Sequence, residues 1–338
     1  MSPAPAPAGL PDEVGFGLIG CGVIAHTFAA AIGGLEGARL AAVHDIDAAK
    51  GERFAADYGT THHGSLAGLL ARDDVQVVCV CTPSGLHAEL GLAGAGAGKH
   101  VVVEKPIDVN RQAARRLIDG AARAGVSLNV ISQQRYNPGV LRAKELLEAR
   151  RLGDPLFVQA RVPWYRPQSY YDSAPWRGTW ALDGGGAFMN QGVHYADLLC
   201  WLFGQPEVVA SHCANMDHDN EVEDLALAIL RFPGEALGTL VASTLSYPGF
   251  STVLSVNASG GSLELVDGAL VTLELKGGEP VELGDCGSLA MPEGHRAQLA
   301  DALGALRAGE PPPISGEDGY RALELVLDVY QSAGWGHA

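Results

Sequence analysis

Across residues 14–131 short apolar runs alternate with longer stretches in which apolar residues recur every three or four positions. The runs at 15–19, 40–44, 77–82, 100–103 and 127–131 predict strands, and the Ala-rich stretches at 48–58, 87–97 and 110–124 predict helices. Such alternation builds a parallel, doubly wound sheet. Helices cover both faces of that sheet, which accounts for a run as uniformly apolar as Val77-Val78-Cys79-Val80-Cys81.

After Asn137-Pro138 the pattern changes. A helix is predicted over 140–150, a loop dense in Trp, Tyr, Arg and Pro over 164–180, and a further helix over 192–203. Long β-rich runs at 207–213, 225–232, 236–247, 251–258, 262–266 and 269–275 predict strands. Pro233-Gly234, Pro248-Gly249, Gly260-Gly261 and Asp267-Gly268 separate them, so strands adjacent in sequence should pair antiparallel. Helices over 295–307 and 320–332, split by Pro311-Pro312-Pro313, close the chain.

Composition narrows the class. At 338 residues the chain exceeds the ~100–150 that one core usually organises, so two domains are expected. Hydrophobic residues make up 47% and charged residues 18%, which excludes a disordered chain. With 23 basic against 39 acidic residues the net charge is −16, an unfavourable field for nucleic acid or an anionic membrane surface. The six cysteines show no CxxC spacing and read as thiols of a reducing compartment. Residues 1–12 alternate Pro and Ala without the basic and apolar regions of a signal peptide, and no apolar run reaches the ~18–20 residues of a membrane span, so a mobile leader and a cytoplasmic protein are expected.

Three stations carry chemistry. Gly20-Cys21-Gly22-Val23-Ile24-Ala25 follows a strand and opens a helix, giving G-x-G-x-x-A. The first small residue allows the tight turn, the second the approach of a pyrophosphate, and the third close packing of helix on strand. Asp45 ends the second strand, where a carboxylate accepts both ribose hydroxyls and repels a 2′-phosphate, so NAD is expected over NADP. Gly20, Gly22, Val23, Ile24 and Asp45 are therefore expected at the dinucleotide, together with Thr82, Pro83 and His87 at the carboxyl edge of the strand at 77–82. His87 reads first as the start of a helix.

The second station is Glu104-Lys105-Pro106, again at a strand end. The chain has only five lysines against eighteen arginines, and an amine, unlike a guanidinium, can exchange its proton. Lys105 is thus a candidate acid/base, Glu104 and Lys105 are expected near the cofactor, and Pro106 offers a cis bond. The third station is the run Gly184-Gly185-Gly186 leading to Asn190, Gln191 and His194. In a helix beginning near Met189, Asn190, His194 and Asp197 recur at i, i+4 and i+7 and share a face. A core histidine satisfied by Asp197 is the plainer alternative for that stripe. The loop from Trp164 to Trp180 offers rings that stack on sugar or base and arginines that pair with phosphate or carboxylate, or else forms a packed crossover or subunit contact. His212, Cys213, Asp217, His218 and Asp219 fit no structural zinc spacing, and no metal is expected.

Taken in this order the three stations resemble the Gfo/Idh/MocA oxidoreductase family. The resemblance implies a Rossmann domain over 13–132 and, over 133–338, a substrate-binding and oligomerisation domain with a large open, mostly antiparallel sheet: α/β followed by α+β. It implies hydride exchange between a nicotinamide and a secondary alcohol or ketone of a sugar, sugar nucleotide or cyclitol. Lys105 and His194 take the family's catalytic positions, with Asn190 where the family usually has Asp. That departure weakens proton transfer by His194 and makes Lys105 the stronger acid/base. Arg135, Tyr136, Trp176, Arg177, Asn190, Gln191, His194 and Lys105 are the expected substrate contacts. Asn190-Gln191 is also similar to the sugar-nucleotide oxidase and ketoreductase branch. A glycosidase using bound NAD for transient oxidation, or a non-catalytic dinucleotide-binding regulator of the same fold, is the alternative. Val, Leu and Ala on both faces of the second sheet predict a homodimer or homotetramer through it.

Overall fold

Six strands form the first sheet: β1 (Val14–Ile19), β2 (Ala38–His44), β3 (Thr61–His62), β4 (Val77–Val80), β5 (His100–Val103) and β6 (Leu128–Val130). This computed structural model describes residues 10–278 and 283–336. The strands are all parallel, in the order β3-β2-β1-β4-β5-β6. The order reverses between β1 and β4, so their carboxyl ends open the crevice where doubly wound sheets take ligands. β3 has only two residues, too few for a period-two signal, and the sequence pattern missed it.

The helices end where local chemistry says they should. Asp47 caps the helix Ala48–Tyr58 by accepting the Lys50 N–H, and Gly59 closes it at φ 63°. Asn110 accepts the N–H groups of Gln112 and Ala113 at the start of Arg111–Ala124, which Gly125 ends at φ 68°. Both ends follow the preference for Asp or Asn at the N-cap and Gly at a left-handed C-cap.

The chain divides into two compact units, residues 1–131 with 291–320 and residues 132–290 with 321–338. A single cut near residue 132 therefore misplaces the helix Met291–Ala308. Its Leu299 and Leu303 join the first core with Phe16, Phe28 and Ile32, and Gln298 Nε2 donates to Asn129 Oδ1 and the Val130 carbonyl, each at 2.8 Å. Residues 1–9 of the expected leader lie outside the described residues. Leu10 packs against this core and the Asp12 carbonyl accepts Arg307 Nη2, so residues 10–12 belong to the folded unit.

The second unit carries a seven-stranded sheet of β7 (Pro155–Pro163), β8 (Glu207–Ala214), β9 (Leu225–Arg231), β10 (Leu237–Ser243), β11 (Val253–Ala258), β12 (Gly261–Val266) and β13 (Ala269–Leu275). Its order is β13-β12-β11-β7-β10-β9-β8, antiparallel except for the parallel pair β7 and β10. The sequence pattern missed β7, the central strand, because prolines flank it and Gln159 and Arg161 interrupt it. Val158, Ala160 and Val162 alternate inward along it, which was the available signal. β7 also separates β10 from β11, so Pro248-Gly249 does not join paired neighbours as expected. On the buried face lie a π-helical turn, Phe188–Gly192, and the helix Val193–Phe203. Gly192 permits the approach, since a Cβ there would meet Ala242 Cβ at 3.1 Å.

Candidate active site

In the first unit the turn after β1 is built for close approach. Gly20 has φ 94°, and a Cβ on it would stand 2.9 Å from the Cys81 carbonyl oxygen that follows β4. At Gly22, which precedes the helix Val23–Gly33, no side chain or carbonyl comes closer than 4.0 Å to the same construction, leaving the backbone open to a ligand. The N–H groups of Val23 and Ile24 lie in the first turn, which a helix leaves without intrahelical partners, and Val23 is 83% exposed. Asp45 is set by two backbone donors: Cys21 N–H to Oδ2 at 2.7 Å and Asp47 N–H to Oδ1 at 2.9 Å. A carboxylate oxygen accepts more than one hydrogen bond, so Asp45 retains capacity for ribose hydroxyls. Ile46 beside it is 96% exposed, an apolar surface suited to a flat base. These residues fit a dinucleotide. Lys50 Nζ, 3.7 Å from Asp45 Oδ2, adds a cation there that no sequence motif marks.

At the end of β5 the Lys105–Pro106 peptide is cis. Lys105 donates its backbone N–H to Glu104 Oε2 at 3.0 Å, while Glu104 Oε1 meets His295 Nε2 at 2.9 Å. Burial alone would raise the Glu104 carboxyl; the hydrogen bond and charge of His295, with the charges of Lys105 and His87, outweigh it and hold the group below its ordinary range. Glu104 is therefore a support under Lys105. His87 begins the helix His87–Gly96, and at 1% exposure its ring spans the carbonyls of Pro106 (2.7 Å) and Thr82 (2.9 Å). It ties the Thr82-Pro83 turn to the cis-proline turn, and it stands at the helix start that the sequence reads there first. Sequence reasoning missed His295, which comes from a helix some 190 positions away with no local signal.

In the second unit the expected straight helical stripe starts with a π-helical turn, which shifts Asn190 relative to His194 and Asp197. Asn190 Nδ2 donates to Asp183 Oδ1 at 2.7 Å and to the Gly185 carbonyl at 3.3 Å. Asp183 is 2% exposed and its Oδ2 accepts the Gly178 N–H at 2.8 Å. An amide at 190 is thus the complement of a buried carboxylate at 183. A carboxylate at 190 would instead face that buried carboxylate. Asp197 is bound by Arg135, with Nη2–Oδ1 at 2.6 Å and Nε–Oδ2 at 2.9 Å, both groups buried. Arg135 sits in the 3-10 turn Gln133–Tyr136 and is buried in that pair; Tyr136 beside it is half-buried. His194 is half-buried, and Gln191 is buried with Oε1 unpartnered.

Beneath the glycine run lies Glu223, which no motif announced. Its carboxylate accepts the N–H groups of Gly186 and Phe188 and the Tyr330 hydroxyl, all at 2.8 Å. A Cβ at Gly186 would overlap the Glu223 carbonyl oxygen at 1.6 Å, so glycine is obligatory there. Burial pushes the Glu223 carboxyl up to about 7 against the lowering effect of those donors. Trp176 and Arg177 lie together in the aromatic loop, with Arg177 Cζ 4.6 Å from the Trp176 ring centre.

Comparison with known proteins agrees with this layout. Residues 14–132 match the oxidoreductase family with an NAD-binding Rossmann fold, and residues 140–264 match the Gfo/Idh/MocA C-terminal domain. A solved structure of the WlbA dehydrogenase from Bordetella pertussis, in complex with NADH and UDP-GlcNAcA, superposes with a TM-score of 0.89 at 32% identity over 96% of each chain. Inositol 2-dehydrogenase of Rhizobium meliloti is 26% identical over 93% of this chain and 94% of its own. The oxidoreductase YdgJ of Escherichia coli is 31% identical over 70% of this chain and 67% of its own. With a turn and carboxylate shaped for a dinucleotide in one unit and a glycine-led helix over an open sheet in the other, the chain belongs to the Gfo/Idh/MocA family of NAD-binding oxidoreductases.

Proposed function

We propose that the protein is an NAD-dependent dehydrogenase or reductase acting on a secondary alcohol or ketone of a sugar, sugar nucleotide or cyclitol. When bound, NAD supplies the hydride acceptor and NADH the donor. Lys105 Nζ takes the hydroxyl proton as the carbonyl forms and returns it in the reverse direction. The observation that carries this reading is the support beneath Lys105. A buried Glu104–His295 pair holds its backbone N–H, and His87 ties the next carbonyl, at the end of a strand that opens on the dinucleotide edge. His194 hydrogen-bonds a substrate hydroxyl, and Asn190 positions the start of its helix through Asp183. The substrate class is supported by the relatives: one acts on inositol by name and one was solved with a sugar nucleotide.

Asp45 supports preference for NAD over NADP. Six free cysteines, five of them buried, support a cytoplasmic setting, and no helix among the described residues is long and apolar enough to cross a membrane. Phe157, Leu227, Ile229 and Leu237 are exposed on the outer face of β7, β9 and β10, which supports a homo-oligomer through this sheet. The direct test is NADH formation across myo-inositol, free sugars and UDP- and dTDP-sugars, with the reverse reaction on the matching ketones. NAD binding without turnover on any of them would sink the enzymatic reading.

A further inference from the structure

Two arginines of the second unit stand apart from the rest. Arg39, Arg115 and Arg135 each hold a carboxylate, as expected in a chain with 39 acids. Arg166 and Arg177 hold none among the described residues. Each is half-buried, its Nε is shielded from solvent without a hydrogen-bond acceptor, and its neighbours are rings. Arg166 Cζ lies 5.3 Å from the Trp164 ring centre and 5.0 Å from that of Tyr170; Arg177 Cζ lies 4.2 Å from the same Tyr170 ring. Sharing one phenol ring brings the two charges within about 10 Å, no more than a Debye length at 0.1 M salt, so each still feels the other. Among the described residues both guanidinium groups rest on rings and lack an oxygen acceptor, which an anion would supply.

The backbone beneath is fixed. Arg166 donates its N–H to the Thr244 carbonyl, and its own carbonyl meets His218 Nε2 at 2.7 Å, while His218 Nδ1 meets the buried Asp224 at 3.1 Å. Arg177 precedes Gly178, whose φ of 69° and packing on Asn220 exclude a side chain, and whose N–H is held by Asp183. Asp183 also binds Asn190, so one carboxylate joins the arginine loop to the start of the His194 helix. The side chains are thus presented on a rigid frame with their hydrogen-bonding edges uncommitted.

We propose that Arg166 and Arg177, gathered on Tyr170, form a receptor for the diphosphate of a sugar nucleotide. This rests on the oxidoreductase reading above and narrows its substrate class. Guanidinium forks match phosphate oxygens, and two cations call for two negative charges. A diphosphate diester supplies both; a single carboxylate supplies one.

The test uses the NAD-loaded protein with UDP as probe, followed by calorimetry, beside D-glucuronate as a carboxylate without phosphate. UDP should bind, and Arg166→Met or Arg177→Met should each weaken it about tenfold or more, with Arg→Lys retaining part of the affinity. NAD affinity should stay in place as the control for folding; if a Met variant loses it, the Lys pair carries the comparison. With a UDP-sugar that is turned over, the loss should fall on KM rather than kcat. UDP binding equally to the Arg166→Met/Arg177→Met protein, or glucuronate binding in place of UDP through the same two arginines, would overturn the proposal. Should the native protein oxidise a free cyclitol and ignore UDP, the receptor falls and the oxidoreductase reading stands. Arginine-dependent UDP binding with no alcohol oxidised leaves the receptor and removes that reading.

Discussion

Each unit rests a motif on a buried glutamate, and the two glutamates end in opposite states. Glu104 lies under Lys105 and faces His295; Glu223 lies under the glycine run and faces two backbone N–H groups and a phenol. Both are withdrawn from water, so burial raises both carboxyls. Only Glu104 has a basic ring at hydrogen-bond distance, and it ends below its ordinary range, whereas Glu223 is pushed up to about 7. In a low-dielectric setting the charge opposite a group, more than its depth, decides whether it ionises. The first unit therefore supports its lysine on a carboxylate held ionised, and the second supports its helix on a group that titrates near neutrality.

The sharpest break of this contrast is in turnover. Lys105→Met should lower kcat by roughly 10²–10⁴-fold while leaving NAD affinity nearly intact, and His194→Asn should cost less. Steady-state kinetics with one accepted substrate decides; the reverse ranking would exchange their roles. Next is His295→Leu, which leaves the Glu104 carboxylate buried without its imidazole and should destabilise the protein by about 3–5 kcal/mol. A shift of the denaturant midpoint worth less than 1 kcal/mol would mean that Glu104 does not depend on that pair.

The second unit is tested by pH. Glu223 binds its proton more tightly folded (about 7) than unfolded (4.5), so its contribution is greatest below the unfolded value and is lost as pH rises towards 7. Folding stability should fall by about 3 kcal/mol across that window from this group. Glu223→Gln should remove that slope, read as melting temperature against pH for both proteins; parallel curves would reject the assignment. The smallest expected effect is at the start of the helix. Asn190→Asp sets a second carboxylate against the buried Asp183 and should cost about 1–3 kcal/mol. Adding Asp183→Asn should recover part of it, and a double-mutant cycle without coupling would show that the two side chains act independently.

Those last residues also mark where sequence reading stopped. Asn190 stands in the sequence where the resemblance expects Asp, and by itself it predicts a weaker His194. The partner of Asn190, Asp183, is seven residues away yet unpredictable, because a π-helical turn and the positive φ of Gly184 and Gly185 decide which side chains meet. Arg135 and Asp197 looked like separate polar positions and proved to be one buried pair.

By itself the sequence determined what depends on near neighbours: the β–α alternation, the caps at Asp47 and Asn110, the turn glycines, and the order of the three stations. Period, propensity and short-range hydrogen bonds act over a few residues and are written locally. Tertiary structure alone decided that β7 runs through the middle of the second sheet, that Met291–Ala308 completes the first core, and that His295 and Tyr330 reach glutamates some 190 and 107 positions away. Those pairings depend on which surfaces are buried together and on the charge each buried carboxylate then faces, and no local pattern records either.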